Sequence, residues 1–289
     1  MTQNLPNTLT SGVFTLTDNG CYQNDPLSVY QLLCQQTKHN LLLESAEVDK
    51  KHLLKSLLLT DAALKIVCNG SVVTFTALSI NGEVALHYAA SELDAHADIL
   101  LAQDQKSFTA TFADIAIELD EKARLSAVNP LQSLRLFTQL TNSDDHDFSV
   151  FLGGAFAFDL MAIAEQLPNV NDSDNTCPDF VYYLAETLVI IDHELQTTDI
   201  LGNIFTCKNN VTNQQNQTAI ANRVSEIKSL LASKINESHV SQLSTSLANN
   251  AKNSPNDKQL NVDISDERYC DIVEQLKENI RAGDIFQVV

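Results

Sequence analysis

The chain has 289 residues and 44% of them are hydrophobic, enough for a sizeable core in one large domain or two smaller ones. Its formal net charge of −19 argues against nucleic-acid binding, which needs a basic face against the phosphates. No run approaches the roughly 18 apolar residues of a membrane span, and residues 1–18 lack the basic and apolar regions of a signal peptide. We therefore expect a cytoplasmic protein without a membrane segment.

The first elements are predicted from capping residues and apolar spacing. Asp25 is expected to cap a helix that begins at Pro26, and residues 40–44 are expected to form a short buried strand. One face of the helix should carry Leu27, Tyr30, Leu33 and Cys34. A second helix is expected after Asp49, with Leu53, Leu54, Leu57 and Leu58 facing inward.

Two Asn-Gly pairs then separate three β-rich runs, residues 64–68, 72–78 and 84–87. Asn-Gly favours a type I′ turn between paired strands, so Asn69-Gly70 and Asn81-Gly82 predict two successive hairpins. Apolar and polar residues alternate in the middle run, which indicates an antiparallel meander with one face on a core.

The middle of the chain mixes strands with one helix. Residues 108–112 alternate as a half-buried strand does, and Asn129-Pro130 begins a helix with Leu131, Leu134, Phe137 and Leu140 on one face. Residues 179–192 predict a central strand, with residues 203–207 as its neighbour. Gly153-Gly154 lacks the pattern of a phosphate loop and predicts a bulge or close backbone packing.

The last part of the chain changes in composition. An Asn/Gln-rich stretch, residues 209–217, precedes an expected helix at residues 219–231, and residues 238–257 have the polar composition of a linker. Ser265 is expected to cap a further helix that ends at Gly283, and residues 285–289 to begin a strand. Because a domain rarely ends on such a strand, we expect the chain to be the front portion of a longer one.

The sequence contains no recognised catalytic motif. The six cysteines are scattered and are expected to be free thiols. The acidic run at residues 144–147 lacks the spacing of a calcium loop and is interpreted as a solvated loop.

A more specific signal lies at the end of the 40–44 strand. There, the Glu44 carboxylate could accept hydrogen bonds from an ammonium, and the Ser45 hydroxyl could donate and accept, which suits the zwitterionic end of an amino acid. The alternative is that Ser45 only caps a turn.

Four segments, in this order, resemble component I of anthranilate synthase, a chorismate-using enzyme. They are residues 41–46 (LLLESA), 153–160 (GGAFAFDL), 177–192 (CPDFVYYLAETLVIID) and 280–289 (IRAGDIFQVV). The resemblance implies an α+β fold of packed, largely antiparallel sheets with flanking helices. It also implies a regulatory, tryptophan-binding domain at residues 1–237, a linker at 238–262 and the incomplete start of a chorismate-binding domain at 263–289.

The resemblance further implies the chemistry of the intact enzyme. The family converts chorismate and ammonia to anthranilate and pyruvate with Mg²⁺, in the first step of tryptophan biosynthesis. A partner glutamine amidotransferase subunit, component II, supplies the ammonia, and L-tryptophan inhibits by feedback. The catalytic and Mg²⁺-binding residues would lie beyond residue 289, so the chain alone is expected to be inactive. Ser45, Glu44 and Ala46 match the family's tryptophan site, and Arg135 and Cys177 lie in segments near the regulatory region.

Two alternatives stay open at this stage. The first is the related aminodeoxychorismate synthase component I of folate biosynthesis. The second is a non-catalytic module that binds an amino acid or docks the amidotransferase.

Overall fold

Long, mostly apolar strands form most of the ordered chain. The computed structural model describes residues 12–35, 37–44, 55–114, 119–140, 146–158, 160–163, 177–233 and 263–287. The chain divides into two units, residues 1–235 and residues 236–289, and the first contains all nine strands described below.

The strands form a single antiparallel sheet with the order β1-β9-β8-β3-β4-β6-β5, in which β2 also pairs with β3 and β7 with β8. Their bounds are β1 Gly12–Gly20, β2 Leu41–Glu44, β3 Lys55–Asn69, β4 Val72–Ala77, β5 Asp98–Leu101, β6 Ser107–Thr111, β7 Leu152–Phe156, β8 Phe180–Asp192 and β9 Thr197–Thr206. The helices are α1 Pro26–Cys34, α2 Ile80–Leu93, α3 Glu121–Ser126, α4 Gln132–Arg135, α5 Asn210–Ala232 and α6 Asp266–Ala282, with 3₁₀ turns at Leu136–Leu140 and Leu160–Ile163.

The two longest strands, β3 and β8, pair with each other and have two different outer neighbours each. The first half of β3 pairs with β2 and its second half with β4, while β8 pairs first with β7 and then with β9. The β3–β8 register shifts between Leu59 and Leu64, so a β-bulge lies where the neighbours change. The sheet thus consists of two smaller sheets that share β3 and β8, which confirms the predicted α+β class with antiparallel strands and flanking helices.

Helices cover the sheet with their apolar sides. Leu86, Ala89 and Leu93 of α2 are buried in a core cluster with Phe75 and Phe108, two rings that stack with centroids 4.5 Å apart. A second cluster joins α5, through Ile220, Val224, Ile227 and Leu231, to α1 and the strands β8 and β9. Glycine allows this close packing, because a Cβ at Gly202 of β9 would lie 2.4 Å from Ile220 Cγ2.

Several predicted elements are confirmed. Asp25 caps α1 by accepting from Ser28 N, Asn129 Oδ1 accepts from Leu131 N at the helix before the Leu136–Leu140 turn, and β8 is a central strand with β9 beside it. Gly153-Gly154 lies in β7, and the predicted close packing is confirmed because a Cβ at Gly154 would lie 2.1 Å from Val181 O. All six cysteines are free, and burial raises the pKa of Cys34 to about 11 and that of Cys68 to about 12.

The second predicted hairpin is wrong. Asn81 and Gly82 are buried in the first turn of α2. Residues 84–87, predicted as the next strand, lie further along the same helix. The helix begins there because Ser79 Oγ accepts from Gly82 N at 2.9 Å, which satisfies a free donor of the first turn. The first hairpin is confirmed at Asn69-Gly70, although among its turn residues only Gly70, at φ 60°, has the positive φ that a type I′ turn requires at both positions.

The helix predicted after Asp49 is also wrong where it can be compared. Leu57 and Leu58 lie in β3, between β2 and β8, while residues 45–54 lie outside the described residues. A run of leucines fits a strand buried on both faces as well as a helix, so its spacing did not distinguish the two.

Smaller corrections concern exposure and element ends. Leu27 is exposed and Val29 is the fully buried residue of α1, and β2 is an edge strand whose Leu43 and Glu44 are exposed rather than buried. Helix α5 begins at Asn210, within the Asn/Gln-rich stretch.

In the second unit, Ser265 caps α6 and Gly283 ends it at φ 83°, as predicted. Residues 285–287 are not in a strand, which corrects that prediction for them, and residues 288–289 and the predicted linker at 238–262 lie outside the described residues. Within the described residues, no helix is both long enough and apolar enough to cross a membrane.

Candidate functional site

The carboxylate predicted to bind an amino acid lies at one end of the sheet. Glu44 is the last residue of β2 and is exposed, and it pairs directly with Ser56 near the start of β3. Ser45 and Ala46, the other predicted residues of this site, lie outside the described residues. The structure therefore gives the surroundings of Glu44.

Those surroundings are polar and come from four parts of the chain. We call the group the Glu44 corner. It consists of Glu44, Lys55, Ser56, Asp192, His193 and Tyr22. Lys55 and Ser56 begin β3, Asp192 ends β8, and Tyr22 precedes α1, so strand pairing brings together residues that are distant in sequence.

A histidine connects two hydroxyl groups inside this corner. The Nε2 atom of His193 lies 2.9 Å from Ser56 Oγ, and its Nδ1 atom lies 3.2 Å from the Tyr22 hydroxyl. His193 and Ser56 are buried, with 8% and 3% of their surfaces exposed. Either hydroxyl can donate or accept, so a neutral imidazole is satisfied in either tautomer.

The charged groups beside the histidine are also paired. Lys55 Nζ lies 3.5 Å from Asp192 Oδ2, while Asp192 Oδ1 accepts from the backbone N–H of Glu194 and of Leu195. Burial acts to raise the pKa of Asp192, but the two N–H donors and Lys55 outweigh it, and the pKa is lowered. Asp192 is therefore held as an anion that closes the turn between β8 and β9.

The three segments of the resemblance that lie in the first unit are neighbours in space. Strand β7, which overlaps the segment 153–160, pairs with β8, which lies in the segment 177–192. A Cβ at Gly153 would lie 2.8 Å from Leu41 Cδ1, so β7 also packs on β2, from residues 41–46. The fourth segment belongs to the second unit.

The two remaining predicted site residues lie away from Glu44. Cys177 precedes β8 at the end opposite Asp192, and a strand of 13 residues spans about 40 Å at about 3.3 Å per residue. Arg135 is exposed at the end of α4, whose Leu134 packs in the core cluster of α2 rather than in the clusters of β2. The structure does not bring Arg135 or Cys177 into the Glu44 corner.

Sequence reasoning missed Ser56, His193 and Tyr22. His193 is 137 positions from Ser56 and 171 from Tyr22, and no local motif joins them. The pairing of β3 with β8 places Ser56 beside His193, and the segment between β1 and α1 brings Tyr22 to the same histidine.

The comparisons with known proteins identify the family. The family model described as chorismate binding enzyme matches residues 90–289. The chain belongs to the chorismate-binding enzyme family. It is 38% identical over 269 residues to anthranilate synthase component 1 of Vibrio cholerae, and 35% identical over 275 residues to that of Escherichia coli.

These alignments cover most of this chain but only part of its relatives. They include 93% and 95% of this chain, against 48% and 49% of the two relatives. The chain thus spans about half the length of the curated relatives that it matches.

Proposed function

We propose that the chain is part of an anthranilate synthase component I, which converts chorismate and ammonia to anthranilate, pyruvate and water. The observation that carries the proposal is the similarity to component 1 of Vibrio cholerae and Escherichia coli along 93% and 95% of the chain. A cytoplasmic location and a role in the first step of tryptophan biosynthesis belong to the same proposal.

Within that function, the first unit carries the L-tryptophan feedback site. Glu44 supports this role because it is an exposed carboxylate at a strand end, where it can receive the ammonium of an amino acid. Ser45 and Ala46, which follow it, are proposed to complete this part of the site. Arg135 and Cys177 stay predictions, as they lie outside the Glu44 corner.

The catalytic residues of the intact enzyme are assigned to the part of the protein beyond residue 289. Among the described residues, no group of three or more His, Cys, Asp or Glu side chains could hold a metal ion. The Mg²⁺ ligands of the intact enzyme are proposed to lie with the catalytic residues beyond 289. A glutamine amidotransferase subunit, component II, is the proposed source of ammonia.

The first test is product analysis. The protein expressed from the complete reading frame is incubated with chorismate, ammonium and Mg²⁺, and the products are followed by anthranilate fluorescence and chromatography. We expect anthranilate and pyruvate in equal amounts. Residues 1–289 expressed alone serve as a control and are expected to give neither.

Other outcomes would redirect the assignment. A product that retains the enolpyruvyl-derived carbons until a further enzyme acts would indicate aminodeoxychorismate synthase instead. Consumption of no chorismate by the complete protein would contradict an enzymatic role and favour an amino-acid-binding or docking module.

A further inference from the structure

A cluster of basic side chains lies where the chain enters β2. In the turn between α1 and β2, the His39 ring lies against Tyr183 of β8, with ring centroids 5.5 Å apart and Nδ1 3.4 Å from the phenol oxygen. Lys65 of β3 is directly opposite Tyr183 in the β3–β8 ladder, so the two side chains share a face of the sheet, with Cβ atoms about 4.5–5.5 Å apart. We call Lys38, His39, Lys65 and Tyr183 the His39 cluster.

The turn that carries His39 has an unusual backbone conformation. His39 has φ 63°, in the left-handed region that residues other than glycine and asparagine seldom adopt. The Asn40 side chain braces the turn, because Nδ2 donates to Thr37 O at 2.9 Å and to Thr37 Oγ1 at 3.0 Å, and Oδ1 accepts from the Tyr30 hydroxyl of α1. The imidazole is therefore held on Tyr183 at a cost in backbone energy, which is typical of functional sites.

The electrostatic surroundings of His39 are positive, although the chain has a net charge of −19. Burial first, and then Lys65 and Lys38, lower the pKa of His39 below its ordinary 6.5, and no carboxylate of the described residues contributes to this shift. In the same row of the sheet, β7 contributes Gly153, which has no side chain, opposite Tyr183. Within the described part of the chain, neither lysine forms an ion pair. A cluster of cations without an internal counter-ion attracts anions from solution.

The cluster also presents hydrogen-bond donors. Nδ1 of His39 faces the phenol, and Nε2 has no hydrogen-bond partner among the residues that the structure describes. An imidazolium donates at both nitrogens, so its Nδ1–H can bond the Tyr183 oxygen while Nε2–H and the phenol O–H are available to a ligand. Carboxylates and phosphates accept such charge-assisted bonds, and the ammonium groups of the two lysines add further donors.

We propose that the His39 cluster binds a small oxyanion, a carboxylate or a phosphate group, between Lys65 and the imidazole of His39. The site is independent of the proposed L-tryptophan site, because it involves none of the residues assigned there. A bound anion stabilises the imidazolium form of His39. Binding therefore takes up a proton and is tighter at lower pH.

The test is calorimetric titration of the protein expressed from the complete reading frame with sodium sulfate and, separately, with sodium acetate. Ionic strength is held constant with sodium chloride. Sulfate represents the tetrahedral phosphate class without changing its own charge near neutral pH, and acetate represents the carboxylates. We expect binding of at least one of the two anions, with affinity about threefold higher at about pH 6 than at about pH 7.5. The anion that binds more tightly identifies the ligand class.

Three variants locate the binding. Lys65→Gln removes one cation and should weaken binding about tenfold, as the loss of a charge-assisted hydrogen bond does. His39→Asn keeps a residue that accepts the positive φ, so it should unfold in urea as wild type does, yet lose the pH dependence and the proton uptake. The proton uptake is measured by repeating the titration in buffers of different ionisation enthalpy. Lys208→Gln, at an exposed position before α5, is the matched control and should bind as wild type does.

Two results would overturn the proposal. The first is folded wild-type protein that binds neither anion. The second is binding of equal strength in wild type and in folded Lys65→Gln, since the anion would then lie elsewhere on the protein. If His39→Asn does not fold, the comparison of Lys65→Gln with Lys208→Gln decides. None of these measurements depends on anthranilate formation or on L-tryptophan, so failure here is distinct from failure of the proposed function.

Discussion

Replacement of Gly82 by alanine tests the contact between α2 and β3. An ideal Cβ at this position would lie 2.0 Å from Ala63 O and 2.8 Å from Ala63 C, both of them backbone atoms in β3. Contacts under 3.0 Å essentially do not occur for real Cβ atoms, so the start of α2 would have to retreat by the difference between 2.0 and 3.0 Å. This movement opens the packing of Leu86 and Ala89, which are fully buried.

Several terms decide the size of the effect. The gain in helix propensity from glycine to alanine is about 1 kcal/mol. Against it stand about 1–3 kcal/mol for overpacking and about 1 kcal/mol for each strained hydrogen bond of Asn81. Asn81 donates to Glu186 and to Asn203 O, and accepts from Phe205 N. With all three hydrogen bonds strained, we therefore expect Gly82→Ala to reduce the free energy of unfolding by about 3–5 kcal/mol.

The assay is urea unfolding followed by circular dichroism, with His87→Ala on the exposed side of α2 as the control. The control should change stability by less than about 0.5 kcal/mol. Gly82→Asn separates the helix from a hairpin turn, because asparagine tolerates the positive φ of such a turn but would meet the same backbone oxygen here. A Gly82→Ala variant as stable as wild type would refute the reasoning.

Two further predictions concern the β-bulge between the two parts of the sheet. Asp61 accepts from Arg223 Nε at 2.9 Å and also from the Thr187 hydroxyl, and the side chains of Asp61 and Arg223 are only about a fifth exposed. Because Arg223→Ala would leave this carboxylate without its cation, it should lower the free energy of unfolding in urea by about 1–3 kcal/mol. A cost no greater than that of Lys228→Ala, which removes a more exposed ion pair, would contradict this. Burial raises the pKa of Glu186 above its ordinary 4.5, despite the hydrogen bonds that Ser79 and Asn81 donate to the carboxylate. The protonated side chain therefore contributes fully to stability below about pH 4.5, and this contribution is lost as the pH rises through the higher pKa of the folded state. Glu186→Gln should remove that decline in the unfolding free energy measured against pH, and identical pH profiles would show that Glu186 is not its source.

Local sequence patterns were sufficient to predict an element where a single residue determines the backbone conformation. The first predicted hairpin forms because Gly70 takes a positive φ in the turn between the paired strands β3 and β4, although Asn69 does not. Asn81-Gly82 has the same letters, yet there the glycine is needed for its lack of a Cβ against Ala63. A pair of residues cannot show which property of glycine is used, since the deciding partner is far away in sequence.

The site shows the same limit. Glu44 was identified at a strand end from the sequence, and β2 does end there. The apolar run after it was interpreted as a helix, although β3 is a strand buried between two others, so the partner Ser56 was missed. His193 was missed because its role depends on the pairing of β3 with β8, which no local pattern contains.

The central claim is that an L-tryptophan feedback site begins at Glu44. The most direct test measures how L-tryptophan inhibits anthranilate formation by wild-type and Ser45→Phe proteins, both expressed from the complete reading frame. The account predicts that L-tryptophan inhibits the wild type, and that Ser45→Phe retains activity while losing this inhibition. Equal sensitivity of the two proteins to L-tryptophan would contradict it.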